Sequence, residues 1–153
     1  MIIADSSALV ALSVIDRLNL LEDIFKKIYV PRAVYNEVTF SNKPQAKKLK
    51  EFLKDKVIDI ELNITQIGLG QGELEAIALY KELKSDFLLI DDIRAKKFAK
   101  LNGVNTISSL GVLVLAKELN IINTIKQDLE KLQKSDIYIS KKVIDEVLEQ
   151  VKE

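Results

Sequence analysis

Short runs of aliphatic and β-branched residues alternate along the chain with longer segments in which apolar side chains recur every three or four positions. The short runs predict β-strands, and the longer segments predict amphipathic helices. This alternation is typical of a parallel sheet covered by helices. We therefore expect an α/β protein with a three-layer α/β/α architecture and a central parallel sheet.

The pattern predicts five strands, of which the third has the weakest signal, at residues 2–5, 28–30, 57–62, 87–91 and 104–107. It predicts helices near residues 6–13, 17–26, 32–39, 43–54, 71–84, 93–102, 109–119, 123–134 and 140–152. Start signals support three of the helices: Pro31 in a first helical turn, Ser140 as an N-cap, and Asn123–Thr124 ahead of apolar positions.

The chain has no internal repeat, low-complexity stretch or linker rich in Pro, Gly or Ser. We therefore expect a single domain over residues 1–153, with C-terminal helices at 123–152 packed on it. The apolar face of the final helix would pack on the core or form a dimer or partner surface. It consists of Val143, Ile144, Val147, Leu148 and Val151.

Length and composition fit this prediction. A chain of 153 residues that is 48% hydrophobic can bury enough surface to fold without disulfides or metal. No apolar run reaches the roughly 18 residues of a membrane span, and no basic region precedes an apolar one at the N-terminus. The absence of cysteine is compatible with a reducing compartment, and we expect a cytoplasmic protein with no membrane partner.

The chain contains neither histidine nor cysteine. Without imidazole or thiol groups, Ser-His and Cys-His catalysis is excluded, and so are the usual nitrogen and sulfur ligands of zinc. Oxygen chemistry remains, in which carboxylates hold a hard divalent cation and the ion generates the nucleophile.

Two acidic sites close apolar runs that are predicted strands. Asp5 follows residues 1–4, and the pair Asp91–Asp92 follows residues 87–90. Ligands of open α/β sheets bind beyond the carboxyl ends of the strands, near the point where the strand order reverses. If the first and fourth strands are neighbours, these carboxylates meet, and their repulsion is costly unless a cation or protons neutralise it.

Glu37 shares a predicted helix face with Val34 and Val38. Because that apolar face is expected to point inward, an acid on it suggests a functional role.

In the helix opening near Gly72, Glu73 aligns with the apolar positions Ala76, Ile77 and Tyr80, whereas Glu75 falls nearer the edge of the apolar stripe. Glu73 is therefore the better candidate, and Glu75 is held in reserve. The alternative for Glu73 is an acid that is simply favoured by the positive end of the helix dipole.

The net charge is zero, with 23 basic and 23 acidic residues, so no global field indicates a nucleic-acid partner. Basic side chains cluster at residues 47–56 and 94–100, and either cluster is explained by a solvated helix face. The second cluster has more interest because it begins two residues after Asp92.

Other acid-based or phosphate-binding classes fit less well. The glycine run at 68–72 resembles a dinucleotide fingerprint, but Glu73 occupies the position of its third glycine and would repel a pyrophosphate. The run is more simply a flexible approach to the acids or a loop with positive φ. A phosphatase of the haloacid dehalogenase type needs an acid two residues after Asp5, where Ser7 stands, and a receiver domain needs an acidic pair at its first strand.

Four segments of the chain, taken in order, resemble the successive acidic motifs of PIN domains. They are Met1–Val10, Val30–Val38, Gly70–Leu79 and Leu88–Ala95. The chain is most similar to small prokaryotic PIN-like proteins related to the VapC-type toxins. The similarity extends over nearly the whole chain, including residues 107–111 and 137–140.

The resemblance implies an RNA endonuclease that depends on Mg²⁺ or Mn²⁺. It assigns the first three acids of the family motif to Asp5, Glu37 and Glu73, with Glu75 close by. The fourth falls on Asp91 or Asp92, and this choice stays open. VapC-type toxins also act as homodimers that a small antitoxin protein blocks, so such a partner is expected here.

A mechanistic hypothesis adds substrate contacts to these acids. Ser7 stands where the family has a small hydroxyl or amide residue, and the helix end near Ser109 would hold a phosphate. Arg94, Lys97 and Lys100 would position the RNA backbone. The alternative to an enzyme is a non-catalytic or regulatory PIN-like module that binds metal or nucleic acid.

Overall fold

The computed structural model describes residues 1–40, 42–62 and 68–153. These residues form a sheet of five parallel strands in the order β3-β2-β1-β4-β5. The strands are β1 (Ile2–Ala4), β2 (Ile28–Pro31), β3 (Val57–Ile58), β4 (Phe87–Leu89) and β5 (Thr106–Ile107). The predicted central parallel sheet and the three-layer α/β/α architecture are confirmed.

The described residues also form nine α-helices. They are α1 (Ser6–Val14), α2 (Asn19–Phe25), α3 (Arg32–Thr39), α4 (Ala46–Leu53), α5 (Gln71–Leu83), α6 (Ile93–Leu101), α7 (Ser109–Glu118), α8 (Lys126–Lys134) and α9 (Lys141–Gln150).

Some boundaries differ from the prediction for local reasons. The third strand ends at Ile58 instead of residue 62, because its partner strand β2 ends at Pro31 and the next residue, Arg32, begins α3. Pro31 itself is the N-cap of α3 and not a residue of its first turn. Helix α8 begins only at Lys126, after Ile125 as N-cap, whereas Ser140 caps α9 as predicted by accepting a hydrogen bond from the Val143 amide.

The side chains of β1 alternate between the two faces of the sheet. Ile2 and Ala4 belong to the larger apolar cluster, which includes α1, α2, α7 and α8, and Ile3 belongs to a second cluster with α5 and α6. Because β1 is central, all three of these residues are fully buried.

The C-terminal helices contribute to the larger cluster. Leu129 and Leu132 of α8 and Ile144 of α9 are buried in it. Three partly buried residues pack against it: Val147 and Leu148 of α9, and Val151, which caps the end of α9. Val143 differs from the expected inward face and is 38% exposed. Packing on the core is therefore what most of this apolar face does.

Across the described ranges, no helix has both the length and the apolar character needed to cross a membrane.

The strand order reverses between β1 and β4. The chain passes from β1 outward to β2 and β3, then returns to the other side of β1 for β4 and β5. Ala4, at the end of β1, pairs with Leu89 at the end of β4. The sequence predicted that Asp5 and the late aspartates meet if the first and fourth strands are neighbours. These two strands are neighbours, and both end at the edge where such folds bind ligands.

Candidate functional site

A cleft of about 470 Å³ opens at this carboxyl edge of the sheet. Carboxylates reach it from the end of β1, from α3, from the first turn of α5 and from the segment after β4. Its lining consists of Asp5, Ser6, Ser7, Ala33, Glu37, Gly70, Gln71, Gly72, Glu73 and Asp92. Four acids that are remote in sequence thus line one cleft.

Asp5 is the most buried of these acids, with 3% of its surface exposed. It is the N-cap residue of α1, yet its side chain does not form the usual capping bond to the first turn. Burial raises the pKa of Asp5 from its ordinary 3.8 to about 7. A hydrogen bond from the Ser6 amide opposes this rise. The negative charges of Glu73, Glu37 and Asp92 add to it. The site therefore destabilises the Asp5 carboxylate and favours a proton or a cation there.

Glu37 is held at the cleft by Ser6. The Ser6 hydroxyl, on a buried residue, donates a hydrogen bond of 2.8 Å to Glu37 Oε2. Glu37 is itself exposed, contrary to the inward position expected from its spacing, because only Val34 and Val38 form the buried stripe of α3. The acid lies beside that stripe and faces the start of α1.

Gly72 allows α5 to approach α3 closely. A Cβ atom on this residue would lie 3.2 Å from Glu37 Oε2, 3.3 Å from Val34 Cγ2 and 3.9 Å from Asp5 Oδ1. The first two of these contacts are tight enough that Glu37 and Val34 would have to shift. The glycine run thus does what the sequence suggested, since it brings backbone close to the acidic side chains.

The sequence predicted Glu73 to be more buried than Glu75, but the structure shows the reverse. Glu73 is half-buried and folds back, so that its Oε2 accepts a hydrogen bond from the Gly70 amide at the start of α5. Glu75 is only 7% exposed and points toward α3, where it accepts a hydrogen bond from the Ala33 amide, and it accepts a second one from the Gln71 side chain of its own helix. Glu73 still lines the cleft and Glu75 does not, because the first helical turn places the Glu73 side chain at the open end of α5.

Asp91 and Asp92 have different surroundings. Asp92 lines the cleft and caps α6, with its Oδ1 accepting a hydrogen bond of 2.8 Å from the Ala95 amide. Asp91 points away to α7, where its two oxygens accept bonds of 2.7 Å from the amide and the hydroxyl of Ser109. Of the two acids, only Asp92 lines the cleft.

The same hydrogen bonds correct the phosphate site expected near Ser109. This residue is only 4% exposed, and both of its donors are occupied by Asp91. A phosphate at this helix end would meet a carboxylate already in place, so like charges would repel.

The oxygen donors of the cleft fit a hard divalent ion, although they do not form a complete cage. Within residues 1–40, 42–62 and 68–153, no three acidic side chains lie close enough together to form a ready-made metal cluster. Mg²⁺ needs no such cage, since it keeps several waters and is bound through one or two carboxylates. A cation would also relieve the repulsion that helps to raise the pKa of Asp5.

Basic side chains extend from the cleft along α6. Arg94, Lys97 and Lys100 are all exposed, and the Arg94 guanidinium lies 3.5 Å from the carbonyl oxygen of Gly68. Among the described residues, no acid lies within ion-pair distance of Lys97 or Lys100. Positive charge therefore flanks the acidic cleft beside Asp92.

A roomier groove of about 670 Å³ lies near the C-terminal end of α1, away from these acids. Its lysine-rich wall belongs to α4, and its acids are already paired: Lys48 with Asp16, and Lys54 with Glu51. The first basic cluster is thus largely a structural, ion-paired helix face. We assign the candidate site to the smaller cleft because its carboxylates, unlike those of the groove, have no such cationic partners among the described residues.

Comparison with protein families agrees with this geometry. A family profile described as a PIN domain matches residues 1–153. The chain belongs to the PIN domain family. No curated protein matches the chain at a significant level. PIN domains are in general nucleases that act on nucleic acids, and they usually use divalent metal ions.

Several residues of this PIN domain cleft are absent from the sequence prediction. Ser6, Ala33 and Gln71 line it, and Ser6 bonds directly to Glu37. Ser6 follows Asp5 at the first position of α1, and this location was a usable signal. The sequence around Ala33 and Gln71 gave no such signal, because their positions in the cleft wall depend on how α3 and α5 pack.

Proposed function

We propose that the chain is a ribonuclease that cleaves RNA internally and depends on Mg²⁺ or Mn²⁺. The observation that carries this proposal is the convergence of Asp5, Glu37, Glu73 and Asp92 on one cleft of a PIN domain. The cleft lies where the strand order reverses, which is the usual ligand position of this sheet architecture.

The four acids divide by burial and bonding. Asp5 and Asp92 would hold the ion directly, because Asp5 is buried in the cleft and Asp92 has one oxygen that is free of its capping bond. Glu37, fixed by Ser6, and Glu73 would complete the ion's surroundings or orient its water. When bound, the ion supplies positive charge that acidifies water and offsets the charge of the phosphate.

The basic residues of α6 would bind the substrate. Arg94, Lys97 and Lys100 lie on the helix that Asp92 caps, so they can contact RNA phosphates beside the cleft, and the exposed Ser7 lies on its rim. Hydrolysis adds the oxygen of water to phosphorus and breaks the bond to the 3′ oxygen. The expected products carry 5′-phosphate and 3′-hydroxyl ends.

The test is cleavage of labelled single-stranded RNA by the purified protein with Mn²⁺, compared with the variant Asp5→Asn and with EDTA. We expect cleavage by the wild type that both changes abolish. Asp145→Asn, which alters an exposed acid on α9, is the matched control and should cleave at the wild-type rate. Cleavage by Asp5→Asn at the wild-type rate would overturn the assignment.

A second candidate is a non-catalytic or regulatory PIN-like module that binds metal or nucleic acid. It is favoured by the absence, among the described residues, of three acids already gathered as a metal cluster. Titration with Mn²⁺ in a calorimeter, followed by addition of single-stranded RNA, separates the two candidates. Binding of both without cleavage of any RNA tested would favour the module.

The resemblance to VapC-type toxins extends the nuclease proposal to the toxin of a toxin-antitoxin pair. In that case the protein would act as a homodimer and be blocked by a small antitoxin protein. Growth arrest on expression of the wild type, but not of Asp5→Asn, tests the toxic role. Light scattering of the purified chain tests the dimer.

A further inference from the structure

Helix α3 begins without a cap of its own. Its N-cap residue is Pro31, whose side chain accepts no hydrogen bond, so the amides of the first turn need another acceptor. Glu75, which lies on α5, supplies one: its Oε1 accepts a hydrogen bond of 3.4 Å from the Ala33 amide. The positive end of the α3 dipole also favours a carboxylate at this position.

The second oxygen of Glu75 is bound within α5. Gln71 Nε2 donates a hydrogen bond of 2.9 Å to Glu75 Oε2. Both partners of this buried acid, Ala33 and Gln71, are wall residues of the cleft, whereas Glu75 itself is not. Glu75 therefore lies directly behind the cleft and joins two of its walls.

This link bears on the acids that face the cleft. Glu37 lies one helical turn after Ala33 in α3, and Glu73 lies between Gln71 and Glu75 in α5. The two helices are already in close contact at Gly72, where a Cβ atom would lie 3.2 Å from Glu37 Oε2 and 3.9 Å from Asp5 Oδ1. A bond that fixes α3 against α5 thus fixes where two of the four acids stand.

We propose that Glu75 is a positioning residue of the site: its buried carboxylate clamps the start of α3 to the first turns of α5 and thereby sets the spacing of Glu37 and Glu73. It does so without touching the ion, because both of its oxygens are engaged behind the cleft. The inference rests on the proposed function, and it assigns to the reserve acid a role different from that of a ligand.

Two variants separate positioning from ligation. Glu75→Ala removes both bonds. Glu75→Gln can keep both bonds. The Oε1 of the new side chain can still accept from the Ala33 amide, and its Nε2 can donate to Gln71 Oε1 once the Gln71 amide group turns over. Glu82→Ala, an exposed change later in the same helix, is the control for substituting glutamate by alanine in α5.

The first measurement is hydrogen exchange at the start of α3 in the metal-free protein. We expect exchange of the Ala33 amide to be at least about 10-fold faster in Glu75→Ala and close to wild type in Glu75→Gln and Glu82→Ala. Unchanged exchange in Glu75→Ala would overturn the clamp. This readout decides the clamp even if the protein binds no metal, in which case only the proposed function fails.

The second measurement is Mn²⁺ affinity by calorimetry. Loss of an outer residue that orients metal ligands typically weakens binding by about 10-fold to 100-fold, and we expect this in Glu75→Ala with recovery in Glu75→Gln. A purely structural acid would lower the melting temperature without changing Mn²⁺ affinity, and a direct ligand would lose affinity equally in both variants. Either result contradicts a positioning role.

If Glu75→Ala does not fold, Glu75→Asp replaces it. Aspartate keeps the charge but is one methylene too short to reach both Ala33 and Gln71. We expect the same faster exchange and weaker Mn²⁺ binding, and wild-type values for both would overturn the proposal.

Discussion

The backbone amide of Asp5 donates a hydrogen bond of 2.9 Å to the carbonyl oxygen of Leu89. This bond ties the residue that follows β1 to the end of β4, three residues before Asp92. The sheet itself therefore sets the separation between the buried acid and the late one. Because both residues lie at strand ends that backbone pairing anchors, the consequences of changing their side chains can be predicted one at a time.

Replacing Asp5 by Asn should stabilise the metal-free protein at neutral and higher pH. The pKa of Asp5 is raised from 3.8 to about 7, so the folded state retains a proton that the unfolded state releases. The cost of ionising Asp5 is absent below pH 3.8, grows as the pH rises toward 7 and is complete above it. At about 1.4 kcal/mol per pH unit, the gain at pH 8 is at most about 4 kcal/mol.

Urea unfolding of the two proteins at pH 4 and pH 8, with EDTA present, measures this gain. The difference should be near zero at pH 4 and clearly in favour of Asp5→Asn at pH 8. Asp145→Asn, which changes an exposed acid, should show no such pH dependence. If Asp5→Asn is no more stable than wild type at pH 8, the cleft does not destabilise the ionised Asp5 side chain.

Asp91 and Asp92 should separate into a structural and a functional acid. Asp91→Ala removes the acceptor for two Ser109 donors, and loss of such a helix cap costs about 1–2 kcal/mol of unfolding free energy. Asp92→Asn keeps an acceptor for the Ala95 amide but removes charge from the cleft, so it should weaken Mn²⁺ binding with little loss of stability. Urea unfolding and Mn²⁺ titration of both variants test this division, and the reverse pattern would make Asp91 the ligand.

Glu153 should stabilise the packing of α8. Its carboxylate accepts hydrogen bonds from the amides of Ile125 and Lys126 and from Thr124, and it forms an ion pair of 2.8 Å with Lys117. Glu153→Gln should lower the unfolding free energy at pH 7 by about 1–2 kcal/mol. The matched control is Glu149→Gln, an exposed acid of α9, for which we expect almost no change.

The Glu153 contribution should also depend on acid pH. Hydrogen bonds and Lys117 lower the pKa of Glu153 from 4.5 to about 2 against an opposing effect of burial. The stabilisation is therefore fully present above pH 4.5 and is lost as the pH falls toward 2. Melting temperatures of wild type and Glu153→Gln should converge over that range, and a constant difference would argue against the carboxylate as the cause.

The basic face of α6 should govern RNA affinity. Changing Lys97 and Lys100 together to Ala should weaken binding to single-stranded RNA in EDTA. It should also make RNA binding less sensitive to salt. The slope of the logarithm of the binding constant against the logarithm of salt concentration should become shallower by about 0.7 for each phosphate that the variant no longer neutralises. Lys126 and Lys134, changed together on α8, provide the control. Equal effects of the two pairs would point to non-specific attraction and away from a binding face.

The sequence predicted well those features that depend on local pattern. The apolar runs before Asp5 and Asp91 located the two strands whose ends meet, and these strands are neighbours in the sheet. The family motifs named the acids that line the cleft.

Features that depend on packing were not predictable in this way. Helical spacing placed Glu37 inward and Glu73 deeper than Glu75, but the structure has Glu37 exposed and Glu75 buried. The spacing could not reveal that α3 lacks its own cap and takes one from α5. Likewise, nothing in the Asp91–Asp92 pair showed that the amide and hydroxyl of Ser109 would donate hydrogen bonds to both oxygens of Asp91.

We propose that the cleft acids hold one divalent ion. Crystals of the wild-type protein, grown with Mn²⁺ and measured at a wavelength where manganese scatters anomalously, would show where the ion binds. We predict a single strong anomalous peak in the cleft, in direct contact with carboxylate oxygens of Asp5 and Asp92 and absent from crystals of Asp5→Asn. A peak elsewhere on the molecule, or no peak in a cleft that is open to solvent, would contradict the claim.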